Sequence, residues 1–252
     1  MDFGPLVDTV SAVFVFGGLA GLSLVMRLRQ EGLRLTYEVS LPLGLIGFLI
    51  GVIGMLAAES NPAQIAPGIA IAILTLVYAG VVRLFLIDMD SLTFATDASS
   101  PAAKALGSAV ILAVIVWAMV TVTKGDIGIY WYPQVALLLG GIAILVFVVG
   151  RVLGDNYQTG WAGKLMTIGC LGFALGVVAG LHQLEKAEAL GPAIAFSFTS
   201  LLYALIAVIL GLLWSPSAMC APNGSLSLGM GFAVAVTGAV LAVLATLVMV
   251  LA

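Results

Sequence analysis

Hydroxyl side chains are the groups in this sequence whose spacing could support ion chemistry. They recur in two apolar segments, "IAPGIAIAILTLVYAG" from Ile65 and "LGPAIAFSFTSLLYAL" from Leu190. A path for a proton or a small cation through a membrane needs polar groups on a wet interior. Each hydroxyl can equally donate to a carbonyl one turn back in its own helix, so a structural role stays open. The candidate channel-lining residues are Thr75, Tyr78, Ser197, Thr199, Ser200 and Tyr203.

Carboxylates and histidine, the usual proton carriers, are placed near the ends of the apolar segments. None of the twelve acidic residues lies in the middle of such a segment, and His182 stands at a boundary. We interpret His182 as interfacial, because proton relays lie deeper and form chains. The sequence has no catalytic motif and no Cys/His cluster of metal-binding spacing. We therefore predict that the protein is not an enzyme and that it binds no metal, cofactor or nucleic acid.

The elements that must position the hydroxyls are transmembrane helices. The chain of 252 residues is 62% hydrophobic and 8% charged, with a mean hydropathy of +1.24, and a soluble core of this size cannot bury so much apolar surface. We predict an all-α integral membrane protein in contact with lipid. Runs of bilayer-spanning length predict about eight spans, at residues 8–28, 39–58, 65–87, 104–123, 131–153, 164–183, 190–213 and 227–251.

The basic residues predict the orientation of these spans. Seven of the nine lie beside the loops after spans one, three and five, whereas Lys124 and Lys186 lie on the opposite side. Because Lys and Arg are retained in the cytoplasm, both termini are predicted outside it. Arg83 lies inside span three, close to its cytoplasmic end, and we interpret it as an anchor whose stem reaches the headgroups.

The sequence repeats itself at an offset of 125 residues. Residues 44–79 align with residues 169–204 without a gap, with 12 identities in 36 positions, where a membrane-like composition gives roughly three or four by chance. Each half then contains four spans, residues 1–125 and 126–252. Because four is an even number, the halves enter the membrane from the same side and form parallel repeats.

Small residues in the repeat predict close helix packing. Four glycines of span two are spaced by three, four and three residues, which places them on one helical stripe, and a stripe without side chains lets another backbone approach. Pro67 suits a first helical turn, where its missing N–H is not needed. The predicted packing residues are Gly44, Gly47, Gly51, Gly54, Pro67, Gly68 and Ala70, and in the second half Gly169, Gly172, Gly176, Pro192 and Ala195.

The order "LGLIGFLIGVIGML", short loop, "IAPGIAIAI" resembles the two signature helices of the MotA/TolQ/ExbB proton-channel family. There, a glycine-rich helix of the form LGLLGTVxGM is followed by a descending helix of the form APGIAxALxxTxxG. The resemblance covers about 48 residues in each half. It implies that the protein is an oligomeric subunit of the bacterial inner membrane. Such a subunit packs around a single-span partner protein that has an intramembrane Asp, and it couples proton or sodium flow to mechanical work.

Several positions depart from the family pattern. Phe48 and Phe173 replace a threonine, and Ile71 and Phe196 stand where ExbB-like members have an acidic residue. The large cytoplasmic domain of the family is also missing. These departures motivate an alternative, a structural or assembly subunit that does not conduct. A third hypothesis is a small transporter with a substrate site between its parallel repeats.

Overall fold

The computed structural model describes residues 8–26, 30–57, 65–88, 100–153, 160–181, 187–215 and 219. This part of the chain consists of helices and turns, in agreement with the predicted all-α class. The α-helices are α1 (Thr9–Val25), α2 (Gln30–Ala57), α3 (Ile65–Phe85), α4 (Pro101–Val122), α5 (Pro133–Leu153), α6 (Trp161–Leu181) and α7 (Ala187–Trp214).

Local signals explain where two of the helices begin. The carboxylate of Asp8 accepts a hydrogen bond from the Ser11 N–H at 2.7 Å at the start of α1. Ser100 caps α4 in the same way, and Pro101 takes the first helical position, where its missing N–H leaves no bond unmade. A π-helical turn at Val13–Gly17 interrupts α1, and a 3-10 turn at Ile127–Tyr130 precedes α5.

Five of the described helices contain apolar windows long enough to cross a membrane. These windows are Gly32–Met55, Pro101–Val122, Ile127–Val152, Trp161–Val178 and Ser197–Trp214, and Thr9–Val25 and Ala72–Phe85 are shorter apolar helices. The chain is therefore a multi-pass α-helical membrane protein. The predicted span at 227–251 lies outside the described residues.

Helix α2 lies at the centre of the fold. It packs along α3 within the first half and along α7 of the second half, and α1 and α4 cover its remaining sides. Helix α7 packs along both α2 and α6. The core is formed mainly by α2 and α7, whose fully buried side chains include Leu43, Phe48, Phe198, Leu202 and Ile209.

Helix α2 starts nine residues before the predicted span two, which was placed at residues 39–58. The additional turns contain Arg34 and Glu38, both buried at 9% and 2% exposure. A search for apolar runs stops at charged residues, but the helix continues through them because neighbouring helices enclose their side chains. Helix α7 likewise begins at Ala187, before the predicted Leu190, so that Pro192 lies in its second turn.

Candidate functional site: two matching helix pairs

The glycine stripe of α2 lies directly against small residues of α3. A Cβ atom built at Gly47 would lie 3.0 Å from the Thr75 Cβ, and one built at Gly51 would lie 2.9 Å from the Ala72 Cβ. At Gly44 the added atom would overlap the Cβ of Ala79. The two backbones are therefore close enough that any side chain at Gly44, Gly47 or Gly51 must displace α3.

Helices α6 and α7 repeat this arrangement in the second half. A Cβ at Gly169 would lie 2.5 Å from the Ala204 Cβ, and one at Gly172 would lie 2.9 Å from the Ser200 Cβ. A Cβ at Gly176 would lie 2.9 Å from the Ser197 Cα. Each of these glycine positions, and each partner, is 125 residues after its counterpart in the first pair. The same contacts thus recur at equivalent positions of both halves.

A side-chain hydroxyl crosses each pair at the same place. The Thr75 Oγ1 donates to the Gly44 carbonyl at 3.1 Å or to the Ala72 carbonyl at 2.7 Å. The Ser200 Oγ has the equivalent acceptors, the carbonyls of Gly169 at 3.2 Å and Ser197 at 2.7 Å. A hydrogen bond between helices is available here because the glycine leaves its carbonyl uncovered.

The two tyrosines of the predicted lining set each reach the start of another helix. The Tyr78 hydroxyl accepts a hydrogen bond from the Asp8 N–H at 3.3 Å, at the beginning of α1. The Tyr203 hydroxyl accepts from the Tyr132 N–H at 3.2 Å and donates to the Tyr130 carbonyl at 2.6 Å, just before α5. Both tyrosines therefore join the second helix of their pair to the start of the helix that precedes the pair, α1 for Tyr78 and α5 for Tyr203.

A large apolar side chain from that first helix also enters each pair. Phe14, in the π-helical turn of α1, would lie 2.7 Å from a Cβ at Gly47. Leu139 of α5 would lie 3.3 Å from a Cβ at Gly172. Phe14 and Leu139 are again 125 residues apart. The matching contacts thus include three helices in each half.

The predicted packing residues have different positions with respect to these pairs. Gly54 faces α4 rather than α3, since a Cβ there would lie 2.5 Å from the Val122 Cγ1 and 3.3 Å from the Tyr130 hydroxyl. Ala195 is buried in α7, where its carbonyl accepts from the Thr199 hydroxyl at 2.9 Å. The backbones of Pro67, Gly68, Ala70 and Pro192 are helical, and their side chains lie outside the described set.

The predicted lining hydroxyls are enclosed by the chain itself. Thr75, Ser197, Thr199 and Ser200 are at most 4% exposed, and Tyr78 and Tyr203 are half-buried. Thr75, Thr199 and Ser200 each have a carbonyl acceptor within their own helix. The arrangement satisfies these hydroxyls inside the helix bundle, which is the structural role that their sequence context left open.

Two buried charged residues of α2, and a half-buried arginine of α3 that packs on the same stretch of α2, were missed by sequence reasoning; we call the three the charged cluster. Arg34 and Glu38 lie one turn apart on α2, and the guanidinium of Arg83 on α3 packs over the Tyr37 ring at 4.3 Å from its centroid. The Arg83 Nη1 is buried and has no hydrogen-bond partner among the described residues. The guanidinium predicted to reach the headgroups thus stacks on an aromatic ring.

The residues at the equivalent positions of the second half are uncharged. At an offset of 125 residues, Tyr37, Glu38 and Arg83 correspond to Ala162, Gly163 and Val208. Ala162 and Val208 are buried apolar residues. The spacing of Arg34 and Glu38, four residues apart in the helical phase of α2, was the sequence signal that could have revealed this cluster.

The chain matches no protein-family model, and neither a curated protein nor a solved structure is significantly similar to it. The geometry of the two helix pairs is therefore the basis for any functional assignment.

Proposed function

We propose that this chain is a tandemly duplicated MotA/TolQ/ExbB-like subunit of the bacterial inner membrane. It has eight spans in two parallel four-helix repeats, with both termini outside the cytoplasm. It packs around single-span partner helices that carry an intramembrane Asp, and it couples proton or sodium flow to mechanical work. The observation that carries this proposal is the recurrence of one glycine-to-small-residue helix contact, with one hydroxyl bridge, in both halves.

Rigid helix pairs of this kind suit a protein that surrounds a partner helix. The glycine contacts prevent the two helices of a pair from separating without loss of close packing, so that each pair can act as one stiff element. The partner would supply the acidic group in the membrane interior, where the described helices of this chain have only Glu38, near one end of a span.

A second candidate is a structural or assembly subunit that does not conduct ions. The burial and intrahelical bonding of the hydroxyls favour it, because groups enclosed in this way are not available to a water-filled path. The two candidates share the packing of a partner helix and differ only in ion flux.

Two measurements test the proposal in sequence. Affinity purification of the tagged chain from its native membrane should retain a small protein with one span containing Asp. Reconstitution of that complex in vesicles under a pH gradient should then show proton flux that is lost when the partner Asp is changed to Asn. A complex that is retained without flux favours the structural candidate, and purification of the chain alone refutes both.

A further inference from the structure

A row of cations and aromatic rings lies where α5 ends and α6 begins. The rings of Phe147 and Trp161 are in contact, with 6.0 Å between their centroids. The Arg151 guanidinium lies over the Phe147 ring at 5.3 Å from its centroid, and the Lys164 ammonium lies over the Trp161 ring at 4.9 Å. We call these four residues the interfacial row.

The interfacial row lies at a surface of the membrane. Two apolar windows of spanning length meet it, since Ile127–Val152 ends at its α5 side and Trp161–Val178 begins at its α6 side. The basic residues predict that this surface faces the cytoplasm. Tryptophan and long cationic side chains are typical of this depth, where lipid headgroups meet the acyl chains. The two cations are therefore placed at the level of lipid phosphate groups.

The face of α5 that leads to the row is apolar and exposed. Ile144, Phe147, Val148 and Arg151 have the spacing i, i+3, i+4, i+7, so they share one side of the helix. The three apolar side chains are 65, 47 and 52% exposed, and Arg151 is exposed as well. This face presents apolar side chains toward the membrane interior and a cation at its end, which is the order of acyl chain and phosphate in a lipid.

Phe147 and Ser23 have equivalent places in the two halves. Phe147 contacts Trp161, and the Ser23 hydroxyl lies 2.9 Å from the hydroxyl of Thr36, which is 125 residues before Trp161. In the first half this place is closed by a buried hydrogen bond between two neutral groups. In the second half it has two large rings, each with a cation on its face.

The first half shows that a helix placed like α4 leaves this face open. Ala20 and Leu24 of α1 are equivalent to Ile144 and Val148 of α5, because each pair stands three residues before and one residue after the contact residue of its helix. Both are exposed, Leu24 at 67%, although α4 packs along α1. Residues 227–251 therefore leave the face of α5 open if they repeat the position of α4.

We propose that the interfacial row binds the phosphate of an anionic phospholipid whose acyl chains lie on the exposed face of α5. Arg151 and Lys164 supply two positive charges at headgroup depth, and the aromatic rings beneath them hold these charges near the membrane surface. An anionic headgroup has no ammonium to compensate its phosphate, so the row attracts it more strongly than a zwitterionic headgroup. This inference is independent of the partner helix and of ion flux.

Fluorescence quenching by brominated lipid tests the proposal. The chain keeps Trp161 and has Phe at its other three tryptophans, so that bromine on a neighbouring acyl chain quenches emission from the row alone. It is reconstituted in phosphatidylcholine vesicles that contain an increasing fraction of brominated phosphatidylglycerol or, as a reference, brominated phosphatidylcholine. The two quenching curves give the relative affinity of the two lipids. We expect phosphatidylglycerol to be preferred by roughly fivefold for each cation.

A chain that keeps only Trp117 is the matched control. Trp117 is 40% exposed near the end of α4, and consecutive spans place the ends of α4 and α5 on opposite membrane surfaces. It should show no preference between the two lipids.

Charge variants of the chain that keeps Trp161 assign the selectivity to the row. Arg151→Gln/Lys164→Gln should remove the preference for phosphatidylglycerol. The charge-conserving variant Arg151→Lys/Lys164→Arg should retain it. Lys124→Gln, which removes an exposed charge after α4, should also retain it.

Three results would overturn the proposal. Equal quenching of Trp161 by the two brominated lipids would show that the row does not select by charge. A preference that survives Arg151→Gln/Lys164→Gln would place the bound anion elsewhere. A Trp161 that neither brominated lipid quenches would show that protein covers the row.

Discussion

Replacement of Gly44 by Ala measures the close contact between α2 and α3. The added methyl group would overlap the Ala79 Cβ, and it would also lie 3.2 Å from the Thr75 carbonyl oxygen and 3.6 Å from the Leu76 Cα. Two of these three neighbours are backbone atoms, so no rotamer change can relieve the overlap. Helix α3 must move away from α2 and lose packing along its length.

The expected cost follows from a comparison with Gly140→Ala. Both substitutions add one methyl group to a helix and gain the same intrinsic helix propensity, about 1 kcal/mol. Only Gly44 has described neighbours in contact distance. The difference between the two changes in the free energy of unfolding is therefore the overpacking cost alone, about 1–3 kcal/mol. This difference corresponds to about a 5- to 150-fold change in the unfolding equilibrium constant.

Reversible unfolding in mixed micelles, followed by circular dichroism during an SDS titration, gives these free energies. The double variant Gly44→Ala/Ala79→Gly moves the methyl group from one helix to the other and should recover most of the overpacking cost as a coupling energy. The pair Gly169→Ala/Ala204→Gly should behave alike, because its built contact of 2.5 Å is equivalent. Equal effects of Gly44→Ala and Gly140→Ala, or no recovery in either double variant, would refute the assigned packing.

Three further substitutions test the polar contacts by the same unfolding measurement. Thr75→Val should lower the free energy of unfolding by about 0.5–1.5 kcal/mol, because the hydrogen bond to the Gly44 carbonyl is lost. The control is Thr121→Val, whose exposed hydroxyl donates to a carbonyl of its own helix and whose loss should cost less. Equal costs would show that the interhelical bond contributes nothing. Tyr203→Phe removes two hydrogen bonds and should cost about 1–3 kcal/mol, and an unchanged free energy of unfolding would contradict the geometry at α5. Arg83→Met should lower the free energy of unfolding by about 0.5–2 kcal/mol in the native chain, because its guanidinium packs over the Tyr37 ring. The same substitution should have little effect in a Tyr37→Leu variant. Equal effects in the two chains would show that Arg83 does not pack on Tyr37.

Much of the local structure could be predicted from the sequence. The multi-pass helical class follows from composition and run length, and the spacing of Gly44, Gly47 and Gly51 predicts a face for close packing, because helical periodicity is a local property. The helix limits were less predictable where charge interrupts the apolar run, as at Glu38. Whether a charged residue ends a helix depends on what encloses it.

The hydroxyl residues show the same limit. The hydroxyls of Thr75 and Ser200 could line a polar path or form a hydrogen bond between two helices, and the sequence could not distinguish these two roles. The structure adds the contact that the sequence lacks, because it brings the uncovered carbonyls of Gly44 and Gly169 within bonding distance. An acceptor on another helix cannot be read from the sequence around the donor.

The sequence by itself determined that the chain forms apolar membrane-spanning helices and that residues 44–79 and 169–204 are similar, and it placed the glycines of both stretches. The tertiary structure alone decided how the units are joined. Ile46 and Leu171 occupy equivalent positions and are both apolar, yet one is buried against neighbouring helices and the other is exposed. In a membrane, an apolar side chain suits lipid as well as it suits another helix, so hydrophobicity does not identify the neighbour. Only the packing of α2 along α7 shows which faces of the two units meet.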